Sequence, residues 1–332
     1  MRKVPAATTL LTEDQLGRVR LRSDLQGCYL VTHAWSVIAG ASALFIIYPN
    51  VLTYVLAVLV IGSRQLGLLI LMHDAAHNAL FRTPVLNRWI AQCLCAWPTL
   101  ADTGIYRRYH LKHHARTLQA NDPDIVLTGH YPVTRVSLRR KLWRDITGQT
   151  GYAQRKAQIT YALGEWGSTI RRRLRHYWRA LGPQTASNLV LLALAAASGR
   201  AWVYFALWLV PLLTWQQLVL RVRNIAEHAV VREADDHFGN ARTTLANPLE
   251  RAFIAPYWVN YHLEHHLIMW VPCYRLPLLR RFLFENGDGE RIETERGYLE
   301  VLRKVTLALP DDAGPRRGKR ASGTFSDGFE AG

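Results

Sequence analysis

The chain has 332 residues, 49% of them hydrophobic, and its 41 Lys and Arg against 25 Asp and Glu give a formal net charge of +16. A basic charge can indicate a nucleic-acid partner, but here the apolar residues form long blocks and the arginines lie between them. That arrangement is typical of a membrane protein with one positively charged side, and no nucleic-acid partner is expected. Length alone is compatible with one large domain or two average ones.

The N-terminal segment, residues 1–26, is polar and has no short apolar core before a cleavage site, so no removable signal peptide is expected. Within it, Thr12 and Gln15 have the spacing of a capping box and predict a short helix at the membrane interface. Two apolar blocks follow, at 29–48 and 51–72. Each is long enough to cross a hydrocarbon core of about 30 Å, and together they predict a hairpin of spanning helices.

A second apolar region, residues 186–220, could be one overlong span or a hairpin bent at Gly199 and Arg200. Histidine-rich segments lie on both sides of it, and they can share one membrane face only if the chain crosses an even number of times. We therefore predict two spans, at 183–198 and 201–220. Nearly all other arginines then fall on the opposite side from Arg200, which predicts that this side is cytoplasmic.

Two further segments are predicted to lie against the membrane surface. Residues 89–105 are moderately apolar but interrupted by Pro98 and Asp102, which indicates an interfacial or membrane-dipping segment. Residues 131–179 are rich in arginine with interleaved aromatics. They suit anionic lipid headgroups, or alternatively a dock for an acidic electron-donor protein or a phosphate-bearing substrate carrier.

The predicted fold is an all-α integral membrane protein with four transmembrane helices and a cytoplasmic helical cap. Both termini are expected in the cytoplasm, at a membrane of the bacterial inner-membrane type. The expected organisation is an N-terminal segment (1–26), a membrane domain (27–282) whose cap comprises 73–182 and 221–282, and a C-terminal segment (283–332) with a disordered tail from about 310. The cysteines form no CxxC pair and are expected to be reduced: Cys28, Cys93, Cys95 and Cys273.

Histidine is concentrated in three motifs, which are HDAAH at 73–77, HLKHH at 110–114 and HLEHH at 262–266. With 13 histidines in 332 residues, about 0.02 copies of HxxHH are expected by chance, and two are present. On a helix, positions i, i+3 and i+4 share one face, so each motif directs its imidazoles at one place. Protonated rings would repel one another there, whereas a transition-metal cation would bind them. Isolated histidines such as His33, His130, His176 and His237 are instead expected to be hydrogen-bonded core residues.

The three motifs supply eight histidines, more than one tetrahedral or octahedral metal can use, so two metals are implied. A structural zinc site would be closed by four ligands and would usually include cysteine, so it fits poorly. Two metals near a membrane surface indicate oxygen activation and attack on an unactivated C–H bond.

The three boxes, spaced across paired apolar spans, resemble those of the membrane-bound fatty acid desaturase and hydroxylase superfamily over roughly residues 29–282. The resemblance implies a non-haem di-iron oxidoreductase with two iron ions and dioxygen as co-substrate. In acyl-CoA members of known structure, a ninth histidine lies four residues after an asparagine at the end of the last span. Asn224 and His228 have this spacing, which implies His228 as a ligand and Asn224 as one acting through water. The implied box ligands are His73, His77, His110, His113, His114, His262, His265 and His266.

The sequence departs from the acyl-CoA members in its first box, which has three intervening residues where they have four. It also lacks the HPGG haem motif of a fused cytochrome b5, which implies a separate ferredoxin-like or cytochrome b5-like electron donor. We predict a desaturase that forms a C=C bond in a lipid acyl chain or a related alkyl substrate. A hydroxylase or ketolase of the same superfamily is the alternative. A membrane metal transporter is less favoured because the boxes lie at helix ends among arginines.

Several polar residues near the boxes have two interpretations. The carboxylates Asp74, Glu227 and Glu264 could accept the distal ring N–H of a ligand and fix its tautomer, or be solvated or helix-end charges. The same alternatives apply to the turn residues Asn121, Asp122 and Asp124. Arg64 lies inside the second span, where it could line a substrate pocket below the metals. It could equally be a buried arginine that pairs locally or extends to the near surface.

Overall fold

The structure is a computed structural model that describes residues 5–232 and 236–307, and it is mostly helical. The predicted disordered tail from about 310 lies outside the described residues. The α-helices are α1 (Ala7–Leu10), α2 (Glu13–Arg20), α3 (Asp24–Ile47), α4 (Val51–Ala76), α5 (Pro84–Ile90), α6 (Thr103–Arg116), α7 (Ile125–Thr128), α8 (Arg135–Ile146), α9 (Gln149–Leu163), α10 (Ile170–Ala197), α11 (Val210–Leu213), α12 (Trp215–His228), α13 (Pro248–Phe253), α14 (His262–Leu267), α15 (Leu276–Glu285) and α16 (Tyr298–Lys304).

Short irregular helices and four strands of two residues complete the described part of the chain. Two π-helical segments are Ala91–Ala96 and Tyr204–Leu209, and three 3-10 turns are Pro256–Trp258, Cys273–Arg275 and Gly289–Arg291. The strands, two residues each, form two parallel pairs that an all-α prediction did not include. They are β1 (Val133–Thr134) with β4 (Thr306–Leu307), and β2 (Thr243–Thr244) with β3 (Thr294–Glu295).

Four helices in the described chain are long and apolar enough to cross a membrane, which confirms the predicted number of candidate spans. They are Asp24–Ile47, Val51–Ala76, Ile170–Ala197 and Tyr204–His228. The last is composite, because a π-helical segment precedes α11 and α12. It continues to His228, beyond the predicted end at 220, and so carries the Asn224 and His228 pair at its end.

The third candidate span begins at Ile170, well before the predicted start at 183. Thr169 caps it by accepting a hydrogen bond from the backbone N–H of Arg172 at 3.4 Å. Pro183 lies inside this helix. It does not end the helix, because proline is tolerated in membrane helices whose freed backbone groups find other partners. The last part of the arginine-rich segment, residues 170–179, therefore forms the beginning of the third span helix.

Helix α4 is the central element of the membrane domain. Of an 18-residue apolar stretch in this helix, 67% is buried, whereas the corresponding share is 22% in both α3 and α10. Two glycines allow this close packing: a Cβ at Gly62 would lie 2.9 Å from the Trp215 Cδ1 atom, and one at Gly67 would lie 2.6 Å from Tyr257 Cε2. The helix thus packs tightly against the fourth span, and its last turn carries the first histidine box into the interior.

Local predictions from the sequence are also confirmed. The Gln15 backbone N–H donates to Thr12 Oγ1 at 3.3 Å and the Thr12 N–H donates to Gln15 Oε1 at 3.0 Å, which completes the capping box. All four cysteines are free. The segment around Asp102 is interrupted as expected, and this residue caps α6 by accepting from the Ile105 N–H at 2.8 Å.

Candidate metal centre

Four helices converge to present nine histidines at one end of the membrane domain. His73 lies in the last turn of α4, and His77 is the residue that ends it. The second box lies on α6, the third on α14, and His228 is the last residue of α12. Because residues three and four apart share a helix face, each helix directs its imidazoles toward the common space.

The nine imidazoles form two groups, and within each group the ligand nitrogen atoms lie within 4.8 Å of one another. Each HxxHH box contributes to both groups, so the two groups are neighbours. We call them the five-histidine group, comprising His73, His77, His110, His114 and His265, and the four-histidine group, comprising His113, His228, His262 and His266.

The inward nitrogens of these rings lack protein partners suited to them. The buried Nε2 atoms of His73, His77 and His266 have no hydrogen-bond partner. Others approach only another Nε2, such as His114 with His110 at 2.9 Å and with His265 at 3.0 Å. Buried polar atoms in proteins are normally paired, and facing lone pairs repel. Such a nitrogen-rich, unpartnered set fits metal ions that accept these lone pairs.

In the four-histidine group, each outer Nδ1 atom has an oxygen partner. An Nδ1–H that donates outward fixes the tautomer in which the Nε2 lone pair points inward, which is the ligand form. The partners are Asp122 Oδ1 for His113 at 2.9 Å, the Asn240 carbonyl for His228 at 3.1 Å, Glu227 Oε1 for His262 at 3.3 Å and Thr117 Oγ1 for His266 at 3.5 Å.

Two of the three predicted supporting carboxylates have other partners. Asp74 accepts hydrogen bonds from the Cys273 backbone N–H at 3.2 Å, and Glu264 accepts from Arg280 Nη1 at 2.6 Å and from the Thr243 hydroxyl. Adjacent helical residues point about 100° apart, so each carboxylate is directed away from the ligand beside it in sequence, and its partner depends on which other element it faces. Glu227 Oε1 lies 3.3 Å from His262 Nδ1, and Asp122 of the NDPD turn contacts His113. The sequence left both residues undecided, and their role in supporting ligands stays a prediction.

Burial keeps most of these imidazoles neutral. It lowers the pKa of His77 to about 3. His113 is the exception: burial lowers its pKa, but the hydrogen bond to Asp122 and the charge of Asp124 outweigh burial, and the net pKa is raised. Burial places the pKa well below the ordinary value for His110, His114, His262, His265 and His266. Neutral imidazole is the form that binds a transition metal.

A cavity of about 210 Å³ lies against the four-histidine group. Asn224 lines it one turn before His228, at the i, i+4 position on α12. Tyr106 lines the same cavity and its ring stacks on His110 with centroids 5.0 Å apart. Arg223, also in the wall, pairs with Glu227 at 2.5 Å. The cavity offers space for a small reactant next to the histidines.

Arg64 lies outside this cavity wall. Only 8% of the residue is exposed, its Nη2 donates to the Ala252 carbonyl, and its guanidinium lies 5.4 Å from the ring centroid of Tyr257. The Tyr257 hydroxyl is in turn hydrogen-bonded to His33 Nδ1 at 3.1 Å. These contacts favour the interpretation of a locally paired, buried arginine.

Comparison with known proteins agrees with this geometry. The sequence model of the fatty acid desaturase family matches residues 49–293. The dihydrorhizobitoxine desaturase of Bradyrhizobium elkanii is 28% identical over 294 residues, covering 85% of this chain and 82% of that protein. The sphingolipid delta(4)-desaturase/C4-monooxygenase of Bos taurus is 26% identical over 76% of this chain and 72% of its own length. The beta-carotene ketolase of Paracoccus sp. (strain PC1) is 26% identical over 81% of this chain and 95% of its own length.

Three observations now point the same way: four candidate spans, two groups of histidines at their ends, and a family match over most of the chain. Proteins of this kind are membrane oxidoreductases, and the superfamily is di-iron in general. The chain is an integral membrane oxidoreductase that belongs to the fatty acid desaturase family.

Proposed function

We propose that the protein is a dioxygen-dependent di-iron desaturase that introduces a C=C bond into a lipid acyl chain or a related alkyl substrate. The observation that carries this proposal is the division of nine histidines, seven of them buried, into two adjacent groups. One iron would be held by the five-histidine group and the other by the four-histidine group, with Asn224 acting through a water molecule. Bound iron supplies the redox chemistry that uses dioxygen to remove hydrogen from an unactivated C–H bond.

The overall reaction balances with two electrons, delivered one at a time by a donor protein. The substrate loses two hydrogen atoms as its C–C bond becomes a double bond, and two further electrons and two protons reduce dioxygen fully to two waters. We propose that the donor is a separate ferredoxin-like or cytochrome b5-like protein. We also propose that the boxes and both termini face the cytoplasm of a bacterial-type inner membrane, where such a donor would be present.

The chain's own residues have defined tasks in this scheme. Asp122, Glu227 and the Asn240 carbonyl hold ring N–H groups, so that the imidazoles of the four-histidine group keep one orientation. Burial of His73, His77, His110 and His265 limits the access of bulk water to the centre. The cavity beside His113 and His228 would place the reacting carbons close to the metals.

Iron fits this centre better than zinc. Both groups consist of histidine alone among the described residues, and together they offer nine ligands. A structural zinc site would need four ligands in a closed tetrahedron. A transporter is also less well supported, since its ligands would lie near the bilayer midplane. Here His73 and His228 lie at the ends of the candidate spans.

A hydroxylase or ketolase is the second candidate. One relative is named as both a desaturase and a C4-monooxygenase, and another as a ketolase. The 26% identity to these two differs little from the 28% identity to the dihydrorhizobitoxine desaturase. Rebound of a hydroxyl group onto the carbon would give an alcohol, whereas loss of a second hydrogen gives the alkene. The three relatives are named for different substrates, dihydrorhizobitoxine, a sphingolipid and beta-carotene, so their names single out no one substrate for this chain.

Product analysis tests the proposal. Lipids and small metabolites would be compared by mass spectrometry in cells that express the wild type, His265→Ala or His130→Ala, with a ferredoxin system supplied. His265 belongs to the five-histidine group, whereas His130 contacts Lys141 away from both groups and is the matched control. A product lacking two hydrogens in the wild type and His130→Ala only would support the desaturase. A product that has gained one oxygen would support the second candidate.

A further inference from the structure

A second cavity, of about 230 Å³, lies where the turn after α9 meets the beginning of α10. Its polar wall contains Glu165, Ser168, Arg172, Arg173 and His176. Within the described part of the chain, the side chains of Arg172 and Arg173 make no hydrogen bond or ion pair, and Arg173 Nε is buried without a partner. Two cationic side chains therefore line this cavity without an ion pair, and Glu165 is the one acidic residue that the structure describes in its wall.

The position of these arginines is electrostatically unfavourable for the protein alone. Three consecutive arginines occupy the first turn of a 28-residue helix, and that turn contains no acidic residue. The N-terminus of a helix carries a partial positive charge, which favours anions and disfavours cations. An anion bound in the cavity would relieve both the repulsion among the arginines and their repulsion from the helix dipole.

The depth of the cavity relative to the membrane follows from helix length. A helix of 28 residues is about 42 Å long, whereas a hydrocarbon core is about 30 Å thick. About two turns of α10 therefore project beyond the core, and Arg172, Arg173 and His176 lie in them. Trp166 and Trp178 are 80% and 51% exposed nearby. Exposed tryptophans beside arginines are typical of the headgroup layer.

We propose that this cavity binds the phosphate of an anionic phospholipid headgroup. The arginine guanidinium groups and the Ser168 hydroxyl can donate to phosphate oxygens, and the guanidinium fork matches that geometry. The Arg173 guanidinium also lies 4.6 Å from the ring centroid of Trp166, which limits its motion. Free phosphate offers the same oxygens, but Ile170 and Leu174 are 69% and 47% exposed beside the cavity and would contact acyl chains. The Glu165 carboxylate in the wall favours a singly charged phosphodiester over a more highly charged ion.

Lipid retention by the full-length protein tests this assignment. Purified protein in detergent would be titrated with phosphatidylglycerol or phosphatidylcholine, and bound lipid counted by native mass spectrometry. The variant is Arg172→Gln with Arg173→Gln. The matched control is Arg171→Gln with Arg175→Gln, which removes the same charge from the same helix at residues that do not line the cavity. Thermal melting verifies that both variants are folded.

We expect the wild type to retain one phosphatidylglycerol tightly. The affinity for this lipid should be about tenfold weaker in the cavity variant and little changed in the control. Equal weakening in both variants would overturn the site, because general surface charge would then explain binding. Tight binding of inorganic phosphate without lipid would also overturn the site. Unchanged lipid binding by the cavity variant, together with a raised KM for an acidic ferredoxin donor, would overturn it as well. The latter result would assign the arginines to donor docking.

Discussion

His114 and His266 stack with ring centroids 4.2 Å apart, although His114 belongs to the five-histidine group and His266 to the four-histidine group. Within the HLKHH box, His113 and His114 likewise point into different groups. The two proposed metal positions therefore share a wall of imidazoles. Loss of a ligand from one group should weaken the binding of the metal in that group first. It should then also disturb the binding of the other metal, because the two groups share this wall.

Replacement of Asp122 by Asn should weaken metal binding by the four-histidine group. The carboxylate accepts from His113 Nδ1 at 2.9 Å and also from the backbone N–H of Leu118 at 2.7 Å. Loss of such an outer partner typically costs about 10–100-fold in metal affinity. Iron retained after dialysis against a weak chelator would measure this. Asp14→Asn, at a side chain that is 82% exposed, should behave as wild type, and equal retention in both variants would contradict the assigned role.

Replacement of Gly62 by Ala should destabilise the membrane domain. The new Cβ would lie 2.9 Å from Trp215 Cδ1, so the two helices must separate. Overpacking of this kind costs about 1–3 kcal/mol. The matched control is Gly40→Ala in α3, where a Cβ meets nothing within 4 Å. That change should be neutral or mildly stabilising, since alanine favours helix more than glycine does. Thermal melting in detergent compares the two, and equal melting temperatures would refute the packing argument.

The metal-free protein should lose stability on acidification. The pKa of His77 is about 3 in the folded chain against an ordinary value of 6.5, so the unfolded chain binds a proton first as pH falls. The stabilisation is fully present above pH 6.5 and is lost progressively toward pH 3. Within that interval, the shift of His77 corresponds to about 1.4 kcal/mol per pH unit. Melting temperatures of chelator-treated protein should fall from neutral pH to about pH 5, with a smaller slope for His77→Gln. A flat profile would contradict burial of neutral imidazoles.

Replacement of Arg64 by Leu separates the two interpretations of this residue. If Arg64 is a local structural partner, its loss leaves the Ala252 carbonyl without its donor and lowers stability, by about 1.5–3 kcal/mol for a charged hydrogen bond. Iron content and product identity should then stay unchanged. An altered product at unchanged melting temperature would instead indicate a substrate-lining role. Arg200→Leu, at an exposed turn, is the control.

The sequence was sufficient for the features that depend on local spacing. The box histidines, the Asn224 and His228 pair and the Thr12 capping box follow from intervals of three or four residues on a helix. The apolar blocks likewise predicted the number of candidate spans. The division of each HxxHH box between two groups could not be predicted, because it depends on how α6 and α14 are rotated against α4 and α12.

The supporting carboxylates show the same limit. Asp74 and Glu264 are adjacent in sequence to ligands, yet they point away from them, whereas Asp122 reaches His113 from a turn nine residues later. The start of α10 at Ile170 was missed for another reason. Pro183 suggested a helix boundary, and the arginines before it suggested a surface segment, although the helix passes through both.

We propose that each of the two histidine groups holds one iron ion. The most direct measurement is iron per chain in purified full-length protein, by mass spectrometry of the metal, for the wild type, His77→Ala and His262→Ala. Each variant removes a ligand from one group only. We expect about two irons per chain in the wild type and a loss toward one in either variant. One iron or none in active wild-type protein, or zinc in place of iron, would contradict it.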